Sequence, residues 1–177
     1  MTNLIPTKAV VSALLIKRFD EGNVRLLLQT RWKPKISPTY SGMIEIPAGT
    51  IEPYENIYDS LRREVKEETN LDIIRVLENY QGDMCSTRQG DRSFAFRPFV
   101  CQQAIETNNG LPWIGFVFLC ETRGDATLNT SEAKDPRWVS IDELATILAK
   151  EPEKIFPLQL PVLEYFLEFA RTSNFKL

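Results

Sequence analysis

Six carboxylates and three bases fall between residues 49 and 68: Glu52, Glu55, Asp59, Glu64, Glu67 and Glu68 against Arg62, Arg63 and Lys66. The chain holds 24 acids and 21 bases. The remainder is therefore balanced, 24 − 6 = 18 acids against 21 − 3 = 18 bases, and the whole formal charge of −3 sits in this window. Ile57, Tyr58, Leu61 and Val65 recur there at spacings of three and four, which predicts an amphipathic helix from about Tyr54, opened by Pro53 and closed by Asn70. With Leu61 as origin and ~100° per residue, Glu68 lies at about −20°, Glu64 at about −60° and Glu67 at about −120°. Glu68 thus sits on the apolar edge, with Glu64 beside it. Stability alone would not write the helix this way. Acids crowd the end where the dipole is negative, and Glu64 and Glu68 repel each other at i, i+4. Two readings stay open from these residues: a solvated acidic face, or carboxylates gathered on a divalent cation. No histidine is present, so acid/base and metal chemistry must rest on other groups, and an oxygen-only ligand set favours Mg²⁺ or Mn²⁺ over zinc.

The elements around this helix must position it. Residues 8–17 and 24–30 are rich in Val, Leu and Ile, and the segment 19–23 between them reads as a turn. Residues 31–41, with two prolines, read as a loop; residues 43–47 read as a short strand running into a turn at Ala48-Gly49. Further strands are expected at 71–80, 93–103 and 113–120, with a short one at Trp138-Val139, then helices at 141–150 and 160–171. Strands on both sides of one central helix, with helices closing the chain, predict an α+β fold, an α/β/α sandwich around a mixed β-sheet.

At 177 residues, 43% of them apolar and 25% charged, a single domain spanning 1–177 is the expectation. No apolar run is long enough for a membrane-spanning helix, and residues 1–7 lack the pattern of a signal peptide. Three widely spaced cysteines, Cys85, Cys101 and Cys120, suit reduced thiols and a cytoplasmic setting. The mild net charge argues against nucleic acid as a partner.

The window from Gly49 to Leu71 resembles the box of the MutT/Nudix hydrolase superfamily, G-x5-E-x7-R-E-U-x-E-E-x-G-U with U a bulky aliphatic residue. Gly49, Glu55, Arg63, Glu64, Val65, Glu67, Glu68 and Leu71 match in type and spacing; Asn70 replaces the last glycine and is the next best residue for a left-handed backbone. The resemblance implies that the box helix lies on one side of the sheet and the C-terminal helices on the other. It implies that Glu64, Glu67 and Glu68 bind Mg²⁺ or Mn²⁺, with a carbonyl of Gly49 or Ala48 as a further ligand and Glu55 binding metal or bracing the loop. Such a metal would neutralise charge growing on a diphosphate and lower the pKa of an attacking water. Arg63 would orient a box glutamate. The base would be Glu67 first, or Glu132 in the loop before the last strand.

The implied reaction is cleavage of a nucleoside diphosphate linked to a group X, so the expected partner is a small nucleotide. Pro47-Ala48-Gly49-Thr-Ile-Glu52 resembles the box entry of members acting on ADP-ribose or nucleotide sugars, the first choice. The compact layout resembles members acting on oxidised or ordinary nucleoside triphosphates, the alternative. A non-catalytic nucleotide-sensing domain is a third reading, disfavoured because the box acids are all kept. Outside the box, Arg31, at the end of the second strand, is expected to meet phosphate, while Lys33 and Lys35 read equally well as a solvated edge. Trp32 and Trp113 are the candidates for stacking on a base. Phe94, Phe96 and Phe99 read as core, straddled by Arg92 and Arg97, one of which is expected to face a phosphate, with Arg97 the choice. The helix at 160–171 reads as core packing, with a homodimer contact as the minor alternative.

Overall fold

The protein is described by a computed structural model, which covers residues 6–19, 23–108, 112–127 and 130–172. Strands β1 (Lys8–Arg18) and β2 (Val24–Arg31) open the fold; residues 20–22 of the turn expected between them lie outside the described residues, as do residues 1–5. There follow β3 (Ile44–Glu45), β4 (Ala48–Thr50), helix α1 (Ile57–Thr69) and β5 (Asp72–Leu77). Short strands β6 (Tyr80–Gln81), β7 (Cys85–Arg88), β8 (Asp91–Ser93) and β9 (Phe96–Arg97) lead to β10 (Val100–Ala104), β11 (Trp113–Arg123), β12 (Ala133–Ser140), α2 (Ile141–Lys150) and α3 (Leu160–Thr172).

The main sheet runs β10-β11-β1-β2-β12. β1 is parallel to β11, with Lys8 opposite Trp113, while β1 and β2 are antiparallel, so the sheet is mixed. Alternation in β1 supplies both cores. Leu14 and Ile16 join Leu26, Leu28, Val117, Leu119 and, from the C-terminal helices, Leu144, Val162, Leu163 and Phe166. Val11, Ala13 and Leu15 join Leu27, Phe118 and the α1 stripe Ile57, Tyr58, Leu61 and Val65. The sandwich is therefore α1 on one face and α2 with α3 on the other.

One departure from a regular sheet makes the site. β1 pairs with β2 only through Ile16, Lys17 and Arg18. Beyond that point the strands part: Val10–Ser12 of β1 pair with β4, and Gln29 and Thr30 of β2 pair with β3. The segment expected as one strand with a turn at Ala48-Gly49 is thus two strands, each serving a different arm of the split. Ile46 lies between them. Its N–H donates to Gln159 Oε1 at 2.8 Å and its carbonyl accepts from Gln159 Nε2 at 3.1 Å, so one buried amide replaces a neighbouring strand.

Other boundaries also shift. α1 begins at Ile57, not near Tyr54, because Asn56 caps it: its Oδ1 accepts from Tyr58 N at 2.9 Å. Asn70 closes the helix with φ 58°, the left-handed conformation expected of it. The stretch 93–103 is not one strand but β8, β9 and β10, and the polar segment before it forms the β7-β8 hairpin. Trp138-Val139 belongs to a full eight-residue strand, paired along β2. Among the described residues, no helix is long and apolar enough to cross a membrane.

Candidate active site

A cavity of about 510 Å³ occupies the split in the sheet, lined by residues of both arms, α1 and the segment before α3. The box residues enter it from α1. Glu64 points at β4 so closely that a Cβ on Gly49 would stand 1.8 Å from its Cδ and 2.1 Å from both carboxylate oxygens. Gly49 is required by this approach. Arg63 organises the rest. Its Nε and Nη2 donate to the two oxygens of Glu55 at 2.8 and 3.0 Å, and its Nη1 donates to Glu64 Oε1 at 2.6 Å and Glu67 Oε2 at 3.3 Å. The Arg63 guanidinium holds the Glu55 carboxyl down to about 2, and the paired carboxylates push Arg63 up in return. Burial raises Glu64, opposed by Arg63.

Glu68 is different. It is only 7% exposed, and its hydrogen-bond partner is a neutral amide, Gln29 Nε2 at 2.9 Å from Oε2. Burial first, then the neighbouring Glu45 charge, pushes its carboxyl up to about 7; Gln29 and the more distant Lys33 oppose the shift. Glu45, 4% exposed, is itself raised by burial and drawn down by Arg31, whose Nη1 donates to Oε2 at 2.9 Å. Gln29 Oε1 and Arg31 Nε are buried without a hydrogen-bond partner.

The expected crowding of Glu64, Glu67 and Glu68 is therefore resolved in part by the protein's own cation. Arg63 satisfies Glu64 and reaches Glu67, while Glu68 has no ion pair among the described residues. As they stand, no three acidic side chains among the described residues gather closely enough to chelate an ion. The donor set nonetheless fits a hard divalent cation: every candidate ligand is oxygen, Glu68 is a desolvated carboxylate with no ion-paired cation among the described residues, and Glu64 lies on the backbone at Gly49.

The structure brings Arg31, Gly49, Arg63, Glu64, Glu68, Trp113 and Glu132 to the cavity wall. Glu67, 59% exposed, and Glu55 do not line it; both are held by Arg63. Glu132 is ion-paired with Lys33, which also lines the cavity and is not a free basic edge. Two further expected residues do not line the cavity. Arg97 lies exposed on β9, paired with Tyr80 in a separate two-stranded ribbon. Trp32 does not line the cavity either; Lys134 Nζ caps its ring at 3.2 Å. Phe94 and Phe96 pack on the α1 core and Phe99 on the opposite one, as expected. Sequence reasoning missed Glu45, Gln29 and Gln159. A lone acid between Ile44 and Ile46, and a glutamine ending the run Leu26-Leu27-Leu28, were the available signals.

An acidic helix closing a split mixed sheet between two helical layers defines the class. The sequence matches the NUDIX domain over residues 6–159, and the chain belongs to that family, the Nudix hydrolases. No curated protein matches it. Similar solved structures include the NUDIX domain of Shewanella oneidensis NrtR complexed with ADP ribose (15% identity, 94% of this chain and 90% of that one, TM-score 0.62). A possible asymmetric diadenosine tetraphosphate hydrolase from Jonesia denitrificans (15%, 94% and 95%, 0.62) and a MutT protein from Methanosarcina mazei Go1 (20%, 96% and 100%, 0.59) share the fold equally well.

Proposed function

We propose that this chain is a Mg²⁺- or Mn²⁺-dependent pyrophosphohydrolase that cleaves nucleoside diphosphate-X compounds, with ADP-ribose or a nucleotide sugar as the first choice of substrate. The observation that carries the reading is Glu68: a buried carboxylate with a neutral partner, close to Glu45 and Glu64, in the wall of a cavity that also holds Arg31 and Lys33. A charge in that setting is costly unless a cation meets it.

Glu64 and Glu68, with Glu67 and a carbonyl of Ala48 or Gly49, would hold the metal. When bound, it would neutralise diphosphate charge and make water a better nucleophile. Arg63 keeps Glu64 oriented and, braced by Glu55, has its guanidinium fixed before substrate arrives. Arg31, braced by Glu45, offers its remaining N–H groups to phosphate. Glu67 is the first candidate to take the proton from water, and Glu132, on the cavity wall, the second. The box entry Pro47-Ala48-Gly49-Thr-Ile-Glu52 supports the ADP-ribose class, and the ADP ribose complex of the NrtR domain, which shares the fold, agrees with it.

The test is a panel of ADP-ribose, nucleotide sugars, dinucleoside polyphosphates and canonical or oxidised dNTPs, with and without Mg²⁺. Metal-dependent release of a nucleoside monophosphate from ADP-ribose is expected. Turnover confined to dNTPs would move the substrate class to the triphosphates, and no turnover on any member would overturn the enzymatic reading.

A further inference from the structure

Trp113 is the first residue of β11 and Gly115 lies two residues on, so both face the same side of the sheet. A Cβ on Gly115 would stand 2.6 Å from Trp113 Cζ3 and 3.3 Å from Cε3. The benzo ring therefore occupies the space that any other residue at 115 would fill. Their partners on β1 are Lys8 and Val10, and Val10, like Trp113, lines the cavity. Trp113 remains half-exposed while Gly115 is buried beneath it. The other aromatic residue of the cavity wall is already engaged: Phe156 carries the Arg31 guanidinium at 4.9 Å and the Tyr40 ring at 5.1 Å.

We infer that Gly115 is a positioning residue: it seats Trp113 against β11 as a fixed aromatic wall on which the base of the substrate stacks. The inference rests on the proposed nucleoside-diphosphate chemistry and assigns how the base of that substrate is held. A tryptophan held by its own strand has little rotamer freedom left to lose on binding, and stacking accepts any base because each presents a π-face. A side chain at 115 would push the ring off the strand into the cavity, where it would obstruct the base. The effect should therefore fall on substrate capture, not on the metal side of the cavity.

The experiment compares Gly115→Ala, Trp113→Leu and the double variant with wild type. Steady-state hydrolysis is measured on ADP-ribose and on phosphoribosyl diphosphate, which has no base. Tryptophan-fluorescence titration with AMP in EDTA provides a readout independent of catalysis. For ADP-ribose, KM should rise at least about tenfold in each single variant, the loss of one base–aromatic stack, with a smaller change in kcat. The ratio of kcat/KM between ADP-ribose and phosphoribosyl diphosphate should collapse towards one. AMP quenching should vanish in Trp113→Leu and require about tenfold more AMP in Gly115→Ala. In the double variant Gly115→Ala should add nothing to Trp113→Leu, since its effect passes through that ring. Additive effects, or an ADP-ribose preference unchanged in Trp113→Leu, would overturn the assignment. Should Gly115→Ala fail to fold, the positioning role of Gly115 falls, and the ratio of kcat/KM between ADP-ribose and phosphoribosyl diphosphate in Trp113→Leu still decides whether the ring holds the base. Wild type that binds AMP through Trp113 yet hydrolyses nothing would sink the proposed function and leave the aromatic wall standing.

Discussion

Gly49→Ala puts the metal-site assignment under the sharpest strain. The added Cβ would lie 1.8 Å from Glu64 Cδ. An ordinary contact begins near 3.4 Å, so the carboxylate must retreat by about 3.4 − 1.8 = 1.6 Å. The retreat also stretches the 2.6 Å bond from Arg63 Nη1, which links Glu64 to Glu55 and Glu67. Because the obstructing group is the end of a flexible side chain, the fold should survive with little loss of stability. Catalysis should not. A displacement of ~1 Å in a reacting constellation can cost roughly 10²-fold, which corresponds to about 2.7 kcal/mol of transition-state stabilisation. The assay is a Mg²⁺ titration of hydrolysis beside a thermal melt. The expectation is kcat/KM lower by about 10², a weaker apparent Mg²⁺ affinity and a melting temperature close to wild type. Full activity at the wild-type Mg²⁺ requirement would refute a metal role for Glu64.

Three further outcomes follow from the same geometry. Glu68 titrates near 7 in the folded, metal-free protein and at the ordinary 4.5 when unfolded. The folded state therefore holds this proton more tightly, and the stability it confers is complete below 4.5 and lost as pH rises through 7. The loss is about 3 kcal/mol. In EDTA, Glu68→Gln should melt above wild type at pH 8 and level with it at pH 4; in excess Mg²⁺ only wild type should gain stability, and the variant should lose at least about two orders of magnitude in turnover. Glu67→Gln should lower kcat by about 10²–10⁴, the range for a lost general base, and Glu132→Gln by less than about tenfold; the reverse order in a kcat–pH series would transfer the base to Glu132. Gln159→Leu strips both backbone partners from buried Ile46 and should cost about 2–4 kcal/mol in urea unfolding; a cost under about 1 kcal/mol would mean that Ile46 is satisfied otherwise.

How much of this was legible depended on whether a residue's role was local. The α1 stripe and the edge placement of Glu68 follow from a 3.6-residue period, and Asn70 as the left-handed cap follows from its residue type, both of which the sequence displays directly. The Asn56 cap moved the helix start by three residues because Asn at that position competes with Pro53 as a start signal, and only side-chain geometry separates them. The split between β1 and β2 was not legible. Residues 43–50 carry one apolar run with a Pro and a Gly in it, and nothing local says that its halves pair with different strands. Gln159 lies 113 residues from Ile46, so its role as a substitute strand exists only in three dimensions. Trp32 in its loop and Arg97 on its expected strand are assigned by chemical type alone, which says little about where a side chain points.

The box acids are best understood through the neighbours that the sequence reading left out. Crowded carboxylates were expected to need a cation, and Arg63 meets that need for Glu64 while bridging Glu55 and Glu67. Were Arg63 the whole answer, the acidic helix would be a structural ion-pair network. Glu68 breaks that account. It is turned inward, bonded to an amide, and near a second buried carboxylate, Glu45, whose own arginine is Arg31. A fold selected for stability alone gains nothing from this, since a hydrophobic residue at 68 would join the Leu61 and Val65 face at no electrostatic cost. Holding Glu68 desolvated would keep it available to a hard cation, and it is this residue, more than the acidic character of the helix, that supports the proposed metal site.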